Sequence, residues 1–124
     1  MRLNAILLAL AMSTIGGLSA AADAALVMVE EAGCMWCERW NEDIAAIYPK
    51  TREGKIAPLT RIDMHDKRPD GMTFKRPLAF TPTFVLMVDG VEISRIEGYP
   101  GEDFFWGLLE QMMDQAGLMQ ALKS

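Results

Sequence analysis

Residues 25–40 read ALVMVEEAGCMWCERW, and this stretch decides the fold. Residues 25–29 are almost entirely apolar, which is typical of a short strand that is covered on both faces. After a turn that ends with Gly33, the pair Cys34 and Cys37 stands at the start of a helical pattern that runs on through Trp40. A strand that leads through a turn into a helix with two cysteines predicts an α/β protein whose chemistry lies at that junction.

The sequence after the cysteines predicts a helix and a second, parallel strand. Trp40, Ile44 and Ile47 recur at helical spacing with charged residues between them, so we expect them to form the apolar stripe of the helix. Pro49 and the Lys-Thr-Arg-Glu-Gly sequence that follows it should stop this helix near residue 48. Residues 57–63 form the next strand candidate, and the strand–helix–strand order indicates a right-handed crossover between parallel strands.

The second half of the chain predicts an irregular segment, a hairpin and a final helix. Residues 64–80 contain proline and glycine and show no regular pattern, whereas residues 83–88 and 91–96 flank the turn Asp89-Gly90 as a β-hairpin. In the second hairpin strand, apolar and polar residues alternate, as expected of an outer strand. A helix opens at Glu102, and its apolar stripe consists of Phe105, Leu108 or Leu109, and Met112. The predicted fold is thus a central mixed sheet of about four strands with helices on both faces.

The spacing of Cys34 and Cys37 favours thiol–disulfide chemistry over a structural staple. Closing a loop of about four residues would stabilise the protein by roughly 2 kcal/mol, less than wider loops do. A cysteine at a helix N-terminus meets unpaired N–H groups and the helix dipole, which can lower a thiol pKa from about 8.5 into the range of roughly 3.5–7.5. We therefore expect Cys34 to be the attacking thiolate and Cys37, one turn inside the helix, to resolve the mixed disulfide. A structural disulfide and half of a metal site are the alternatives.

The sequence resembles the thioredoxin superfamily in its Cys34-Met-Trp-Cys37 after a strand, Thr81-Pro82 before a strand, Val-Asp-Gly-Val hairpin and Gly98. The resemblance covers nearly all of residues 25–124. It implies a thioredoxin-like fold in which the Thr81–Pro82 bond is cis, Pro82 lies against the cysteines and the Thr81 backbone pairs with the substrate. More narrowly, the chain is similar to the periplasmic thioredoxins of bacterial sulfur-oxidation (Sox) systems, which implies that it keeps a sulfur-carrier protein reduced.

Two positions before the cysteines depart from the ordinary thioredoxin pattern. Gly33 stands where thioredoxins carry tryptophan, and Met28 stands where they have a buried aspartate that handles the proton of the resolving cysteine. Glu30 or Glu31 offers a substitute proton acceptor that would act through water. The alternative is that both glutamates are solvated charges at the end of a strand.

Met35 and Trp36 replace the Gly-Pro dipeptide that thioredoxins have between the cysteines. These two positions face outward in such a motif, so we expect both side chains to contact the substrate protein, here called the client. A basic cluster in the loop before Pro82 is a second candidate surface, which would steer an acidic partner, unless it is simply a solvated loop. This cluster consists of Lys67, Arg68, Lys75 and Arg76.

Residues 1–24 resemble a secretory signal peptide. Arg2 supplies a positive start, an apolar stretch follows, and small residues offer cleavage sites near Ala22–Ala24. An uncleaved membrane anchor is the alternative, but the apolar run is shorter than the roughly 20 residues that a membrane span needs. We therefore expect a single mature domain of residues 25–124 that is exported to the periplasm and is not inserted in the membrane.

Charge and composition narrow the choice of ligands. The net charge of −5 argues against nucleic-acid binding, because that affinity depends on neutralising phosphates. His65 is the only histidine and the chain has 2 cysteines, so a thiolate-rich zinc site within one chain is excluded. We expect no cofactor besides the redox-active Cys34–Cys37 disulfide. Because no NADPH or flavin motif is present, we expect electrons from a membrane-bound donor.

The predicted function is that of a thiol:disulfide oxidoreductase. It would reduce disulfides or thiol adducts on a specific client protein through a transient mixed disulfide. Two alternatives remain open: a disulfide-forming oxidant, and a thioredoxin-like adaptor or assembly chaperone without turnover. The oxidant would move electrons in the opposite direction, from the client to the protein, and the adaptor would form no covalent adduct with its partner.

Overall fold

The computed structural model describes residues 23–120, and its centre is a mixed sheet of four strands. The strands lie in the order β2-β1-β3-β4, with β1 parallel to β2 and antiparallel to β3, and with β3 antiparallel to β4. They are β1 (Ala24–Glu30), β2 (Leu59–Asp63), β3 (Thr83–Val88) and β4 (Val91–Glu97). The predicted strands, the parallel crossover and the hairpin are confirmed.

The helical segments are shorter and more numerous than predicted. They are α1 (Met35–Trp40), a π-helical turn (Asn41–Ala45), a 3₁₀ turn (Tyr48–Lys50), α2 (Arg52–Ile56) and α3 (Glu102–Gln115). A second helix, α2, begins within the Lys-Thr-Arg-Glu-Gly sequence that was predicted only to stop the first one. The Thr51 hydroxyl caps it by accepting a hydrogen bond from the Gly54 N–H at 3.0 Å. Within residues 23–120, no helix is both long enough and apolar enough to span a membrane.

The π-helical turn changes which side chains reach the core. Trp40, Ile44 and Tyr48 are fully buried, whereas Ile47, which the helical stripe predicted to be buried, is 42% exposed. A π turn adds one residue to the helix, so Tyr48 takes the place in the core that a continuous α-helix would give to Ile47. In α3, Leu109 is the buried member of the predicted pair and Leu108 is partly exposed.

The two faces of the sheet are covered differently. The helices pack on one face around a cluster that includes Trp40, Phe84, Phe105 and Met113. The other face carries a smaller apolar cluster that is covered by the irregular segment 64–80. Its members are Val27, Val29, Leu78, Val85 and Met87. The structure thus refines the predicted arrangement of helices on both faces, since the second cover is an irregular segment.

A buried ion pair holds that irregular segment on the sheet. The β-bulge between β3 and β4 shifts the alternation of β4, so Val91 is exposed and Glu92 is 1% exposed. Glu92 accepts from Arg95 Nη2 at 2.6 Å, and the Arg95 guanidinium also donates to the carbonyls of Arg76 and Pro77. The backbone N–H of Lys75 donates to the Glu92 carboxylate at 3.1 Å. This pair therefore fixes residues 75–77, just upstream of Thr81-Pro82.

The predicted signal segment lies outside the described residues except for Asp23 and Ala24. Ala24 is the first residue of β1. Asp23 exchanges two hydrogen bonds with Asp89 in the hairpin turn: its N–H donates to the Asp89 carboxylate at 3.0 Å, and its carbonyl accepts from the Asp89 N–H at 2.8 Å. Both residues therefore contact neighbouring parts of the sheet.

Candidate active site

The Cys34–Cys37 disulfide sits where β1 passes into α1. The two cysteines are bonded, with their Cα atoms 5.2 Å apart, and Cys34 is the N-cap residue of α1. The Cys34 sulfur accepts a hydrogen bond from the Cys37 N–H at 3.1 Å, so a backbone donor already faces the atom on which negative charge would develop. Cys34 is 9% exposed and Cys37 3%, which leaves Cys34 the more accessible of the two.

The turn before Cys34 explains one departure from the thioredoxin pattern. Gly33 has φ +77°, a left-handed conformation that glycine adopts without strain and that a tryptophan would disfavour. The Cys34 N–H then donates to the Glu31 carbonyl at 3.3 Å and closes the turn. A glycine at this position therefore belongs to the local backbone that presents the sulfur.

Thr81 and Pro82 lie at the same end of the sheet as the disulfide. Val29, near the end of β1, is the register partner of Thr83, the first residue of β3. The Thr81–Pro82 peptide bond is cis, and the Pro82 carbonyl accepts from the Gly98 N–H at 2.7 Å. Within residues 23–120, no hydrogen bond occupies the backbone N–H or carbonyl of Thr81. These two groups are available to an extended partner.

Glu31 joins the cysteine turn to the Thr81 segment. The Thr81 hydroxyl donates to one Glu31 carboxylate oxygen at 2.8 Å, and His65 Nε2 lies 2.7 Å from the other. These hydrogen bonds, that of Thr81 first, hold the pKa of Glu31 below its usual value, even though the nearby Asp63 carboxylate acts in the opposite direction. A carboxylate with a lowered pKa is a weaker base, so this contact disfavours Glu31 as the substitute proton acceptor.

Sequence reasoning missed the contacts of Glu31. The side chain of His65 is 74% exposed, but it contacts Glu31 across 34 positions of sequence. Thr81 is 50 positions away from Glu31. No local pattern signals contacts of such separation, because they depend on how β1, β2 and β3 lie side by side.

Glu30 and Met28 are engaged with Arg61 on the neighbouring strand. Arg61 Nη1 lies 2.6 Å from the Glu30 carboxylate and 3.5 Å from the Met28 sulfur, and its guanidinium carbon lies 5.8 Å from the centre of the Trp40 ring. Met28 is fully buried. In the described part of the chain, neither Glu30 nor Glu31 hydrogen-bonds to a cysteine through its carboxylate.

An open cleft of about 710 Å³ is lined by the residues between and after the two cysteines and by residues that follow β4. Met35 and Trp36 are 67% and 54% exposed, as predicted for the outward-facing positions. Asp43 in this cleft contacts Arg39 at 3.5 Å and accepts from the Tyr99 hydroxyl at 2.8 Å. The lining includes three carboxylates that form no ion pair within residues 23–120, so the cleft is acidic. They belong to Glu38, Glu42 and Glu102.

The predicted basic cluster is largely engaged within the chain. Lys75 Nζ donates to the Ile93 carbonyl at 2.8 Å, and Arg76 pairs with Glu97 at 2.7 Å. Arg68 donates to the Met64 carbonyl at 2.9 Å. These contacts weaken the hypothesis that the cluster steers an acidic partner, because three of its side chains already have partners within the chain. The acidic cleft beside the disulfide is a second reason, since it would favour a basic partner.

A metal site needs several liganding side chains grouped in one place. Across residues 23–120, no group of three or more Cys, His, Asp or Glu side chains is arranged to hold a metal ion. The reactive feature that the structure shows at this site is the Cys34–Cys37 disulfide.

The comparisons with known proteins agree with this geometry. No protein-family model matches the sequence, and no curated protein matches it either. Among solved structures, the chain is similar to the periplasmic thioredoxin SoxS from Paracoccus pantotrophus, crystallised in its reduced form. The TM-score is 0.75 and the sequence identity 51%, over 76% of this chain and 99% of that one.

Proposed function

Because the chain belongs to the thioredoxin superfamily and is a relative of the periplasmic thioredoxin SoxS, we propose that it reduces disulfides or thiol adducts on a specific client protein. It is a thioredoxin-like thiol:disulfide oxidoreductase with an active-site Cys34–Cys37 disulfide. The observation that carries the proposal is this disulfide at the start of α1, next to a Thr81 backbone that is available to an extended partner.

The proposed reaction starts from the reduced dithiol form. The Cys34 thiolate attacks one sulfur of the client disulfide, an S–S bond forms between the two proteins, and the other client sulfur leaves as a thiolate. The Cys37 sulfur, as thiolate, then attacks Cys34, which releases the second client thiol and leaves the Cys34–Cys37 disulfide. Two electrons and, overall, two protons pass to the client. A dithiol donor returns the disulfide to the dithiol form by the reverse exchange.

The proposed client surface comprises the cleft and the Thr81 segment. Thr81 offers backbone hydrogen bonds to an extended client strand, and Pro82 holds that strand against the cysteines. Met35 and Trp36 supply exposed apolar area beside Cys34, and the Trp36 ring is also a favourable contact for a cation. The three carboxylates of the cleft that form no ion pair among the described residues favour a client whose reactive cysteine has basic residues nearby.

The proposed location is the periplasm, which is also the location in the name of the SoxS relative. Residues 1–22 would then act as a signal peptide. Cleavage after Ala22 would keep the two hydrogen bonds between Asp23 and Asp89, whereas cleavage after Ala24 would remove them and the first residue of β1. A membrane-bound donor would supply the electrons, and a sulfur-carrier protein of a Sox system is the proposed client.

A trapping experiment tests the exchange. In Cys37→Ser, Cys34 can attack but nothing resolves the adduct, so we expect mixed disulfides with the client that reducing agent releases and mass spectrometry identifies. Cys34→Ser is the matched control and should trap nothing, with its exchange rate lowered at least about 1,000-fold. Tight noncovalent binding without any covalent adduct would favour the adaptor alternative instead.

The direction of electron flow needs a separate measurement. Equilibrating the wild-type disulfide with glutathione buffers gives its reduction potential. A value near the roughly −270 mV of thioredoxin supports the reductive role. A value near the roughly −120 mV of strongly oxidising proteins would contradict it and favour the disulfide-forming alternative.

A further inference from the structure

The Glu31 carboxylate connects the two segments that must cooperate in client binding. Through its backbone, Glu31 belongs to the turn that presents Cys34, since its carbonyl accepts from the Cys34 N–H at 3.3 Å. Through its side chain, it holds the Thr81 hydroxyl at 2.8 Å. Among the described hydrogen bonds, this is the side-chain contact that joins the cysteine turn to Thr81.

We propose that Glu31 is a positioning residue, which sets the Thr81 backbone at a fixed place relative to Cys34 so that a bound client strand presents its sulfur to that cysteine. The inference rests on the proposed exchange function and deepens it. A client held by Thr81 reacts efficiently only if the distance from Thr81 to Cys34 is constant, because a misplaced reacting atom loses most of the benefit of binding. A small disulfide that is not held by Thr81 does not need that constraint.

The surroundings of Glu31 suit a fixed carboxylate. One carboxylate oxygen faces Thr81 and the other faces His65 Nε2 at 2.7 Å, so both oxygens have a partner. Asp63 is the further charged group that acts on it, and the Asp63 carboxylate accepts from the His65 N–H at 2.8 Å, which holds the backbone of that residue. His65 thereby supports Glu31 from the loop after β2, on the side opposite Thr81.

The alternative is that the network contributes only to stability. The two roles predict different changes in the exchange rates. Lost stability lowers the rate with every substrate at temperatures where the protein unfolds, whereas lost positioning lowers the rate only with clients that bind along Thr81. They also differ in coupling: two residues that act through one hydrogen bond should not have additive effects.

The test measures exchange by the reduced protein with two substrates, a disulfide-containing peptide of about ten residues and the small linear molecule hydroxyethyl disulfide. Glu31→Ala and Thr81→Val each remove one side of the contact, and Thr81→Ser keeps the hydroxyl as a conservative rescue. Asp66→Ala is the matched control, since it removes a nearby exposed carboxylate that has no part in the contact. Thermal unfolding confirms that each variant is folded at the assay temperature.

We expect Glu31→Ala and Thr81→Val each to lower kcat for the peptide about tenfold, with the KM for the peptide and the rate with hydroxyethyl disulfide changed less than about twofold. The double variant should lose no more than either single variant, and Thr81→Ser and Asp66→Ala should behave like the wild type. Additive losses, or equal losses with both substrates, would overturn the inference. If wild-type protein itself reduced no peptide disulfide, the proposed function would fail and the inference with it.

Discussion

Two regions beside the disulfide, the Glu31–Thr81 contact and the acidic cleft, differ in how much of their polar surface the protein uses itself. In the first region, called the fixed side, Glu31, His65 and Thr81 are joined by short hydrogen bonds. The segment that precedes Thr81 is held on the sheet by Arg95. The second region, called the open side, is the cleft beside Met35 and Trp36, where three carboxylates form no ion pair within the described residues and the apolar side chains are exposed. The first side is fixed before a client arrives; the second has polar and apolar groups left for the client.

This difference separates two tasks of a protein that must find one client and then react with it. The fixed side offers backbone groups, which any extended chain can pair with, so it can set geometry but cannot choose a sequence. The open side offers charge and aromatic surface, which discriminate between partners through complementarity. We therefore expect variants on the fixed side to change reactivity or stability, and variants on the open side to change which client is preferred.

The largest effect on stability should come from the buried ion pair of Arg95 and Glu92, which holds the segment before Thr81 on the sheet. The side chains of Arg95 and Glu92 are 2% and 1% exposed, so Arg95→Ala leaves a buried carboxylate unpaired and should lower the free energy of unfolding by about 3 kcal/mol. Arg76→Ala is the matched control, because its pair with Glu97 is exposed and should contribute less than about 1 kcal/mol. Urea denaturation measures both, and equal losses would show that the buried pair does not hold the segment.

The next largest effect should come from the charge of the open side. Replacing Glu38 and Glu42 together by lysine should lower kcat/KM for a peptide with basic residues beside its disulfide by about tenfold. Because surface charges are screened by salt, the difference should shrink as ionic strength rises. Asp70→Lys, at an exposed acid that does not line this cleft, is the control. An unchanged preference between basic and acidic peptides would remove the charge argument for the client.

The smallest effect should be an acid-dependent loss of stability. Burial by itself would raise the pKa of Glu92, but hydrogen bonds from Arg95 and the Lys75 backbone outweigh it and leave the pKa lowered. A carboxyl with a lowered pKa in the folded state stabilises the protein above its unfolded pKa of about 4.3, and that stability is lost as pH falls through the folded pKa. Tm should therefore decrease by a few degrees below about pH 4.3. In Glu92→Gln this decrease should be shallower, and an unchanged slope would assign it to other carboxylates.

Much of the fold follows from local sequence patterns. The strands follow from short apolar runs, the hairpin from Asp89-Gly90, and the reactive pair from two cysteines at a helix start. The family resemblance added Thr81-Pro82, which local patterns alone would not have placed beside the cysteines. The strands, the hairpin and the cysteine motif are each determined by residues within one element or one turn.

What the sequence could not predict depends on packing between elements. The irregular segment 64–80 covers a face of the sheet because Leu78 and its neighbours find apolar partners there, which no periodicity within the segment reveals. The contact between Glu31 and Thr81 depends on the order of the strands in the sheet. The exposure of Ile47 depends on a single inserted residue in a helix that otherwise has a regular pattern.

That inserted residue ties the interior of the protein to its outer surface. The π-helical turn Asn41–Ala45 carries Ile44 and leads to Tyr48 inside the core, and the same five residues carry Glu42 and Asp43 into the acidic cleft. Deleting one residue there would convert the turn to an α-helix, so Tyr48 would keep its place in the core while the acidic side chains of the turn changed their positions. A one-residue change in this turn could therefore alter the acidic cleft while Tyr48 stays packed in the core.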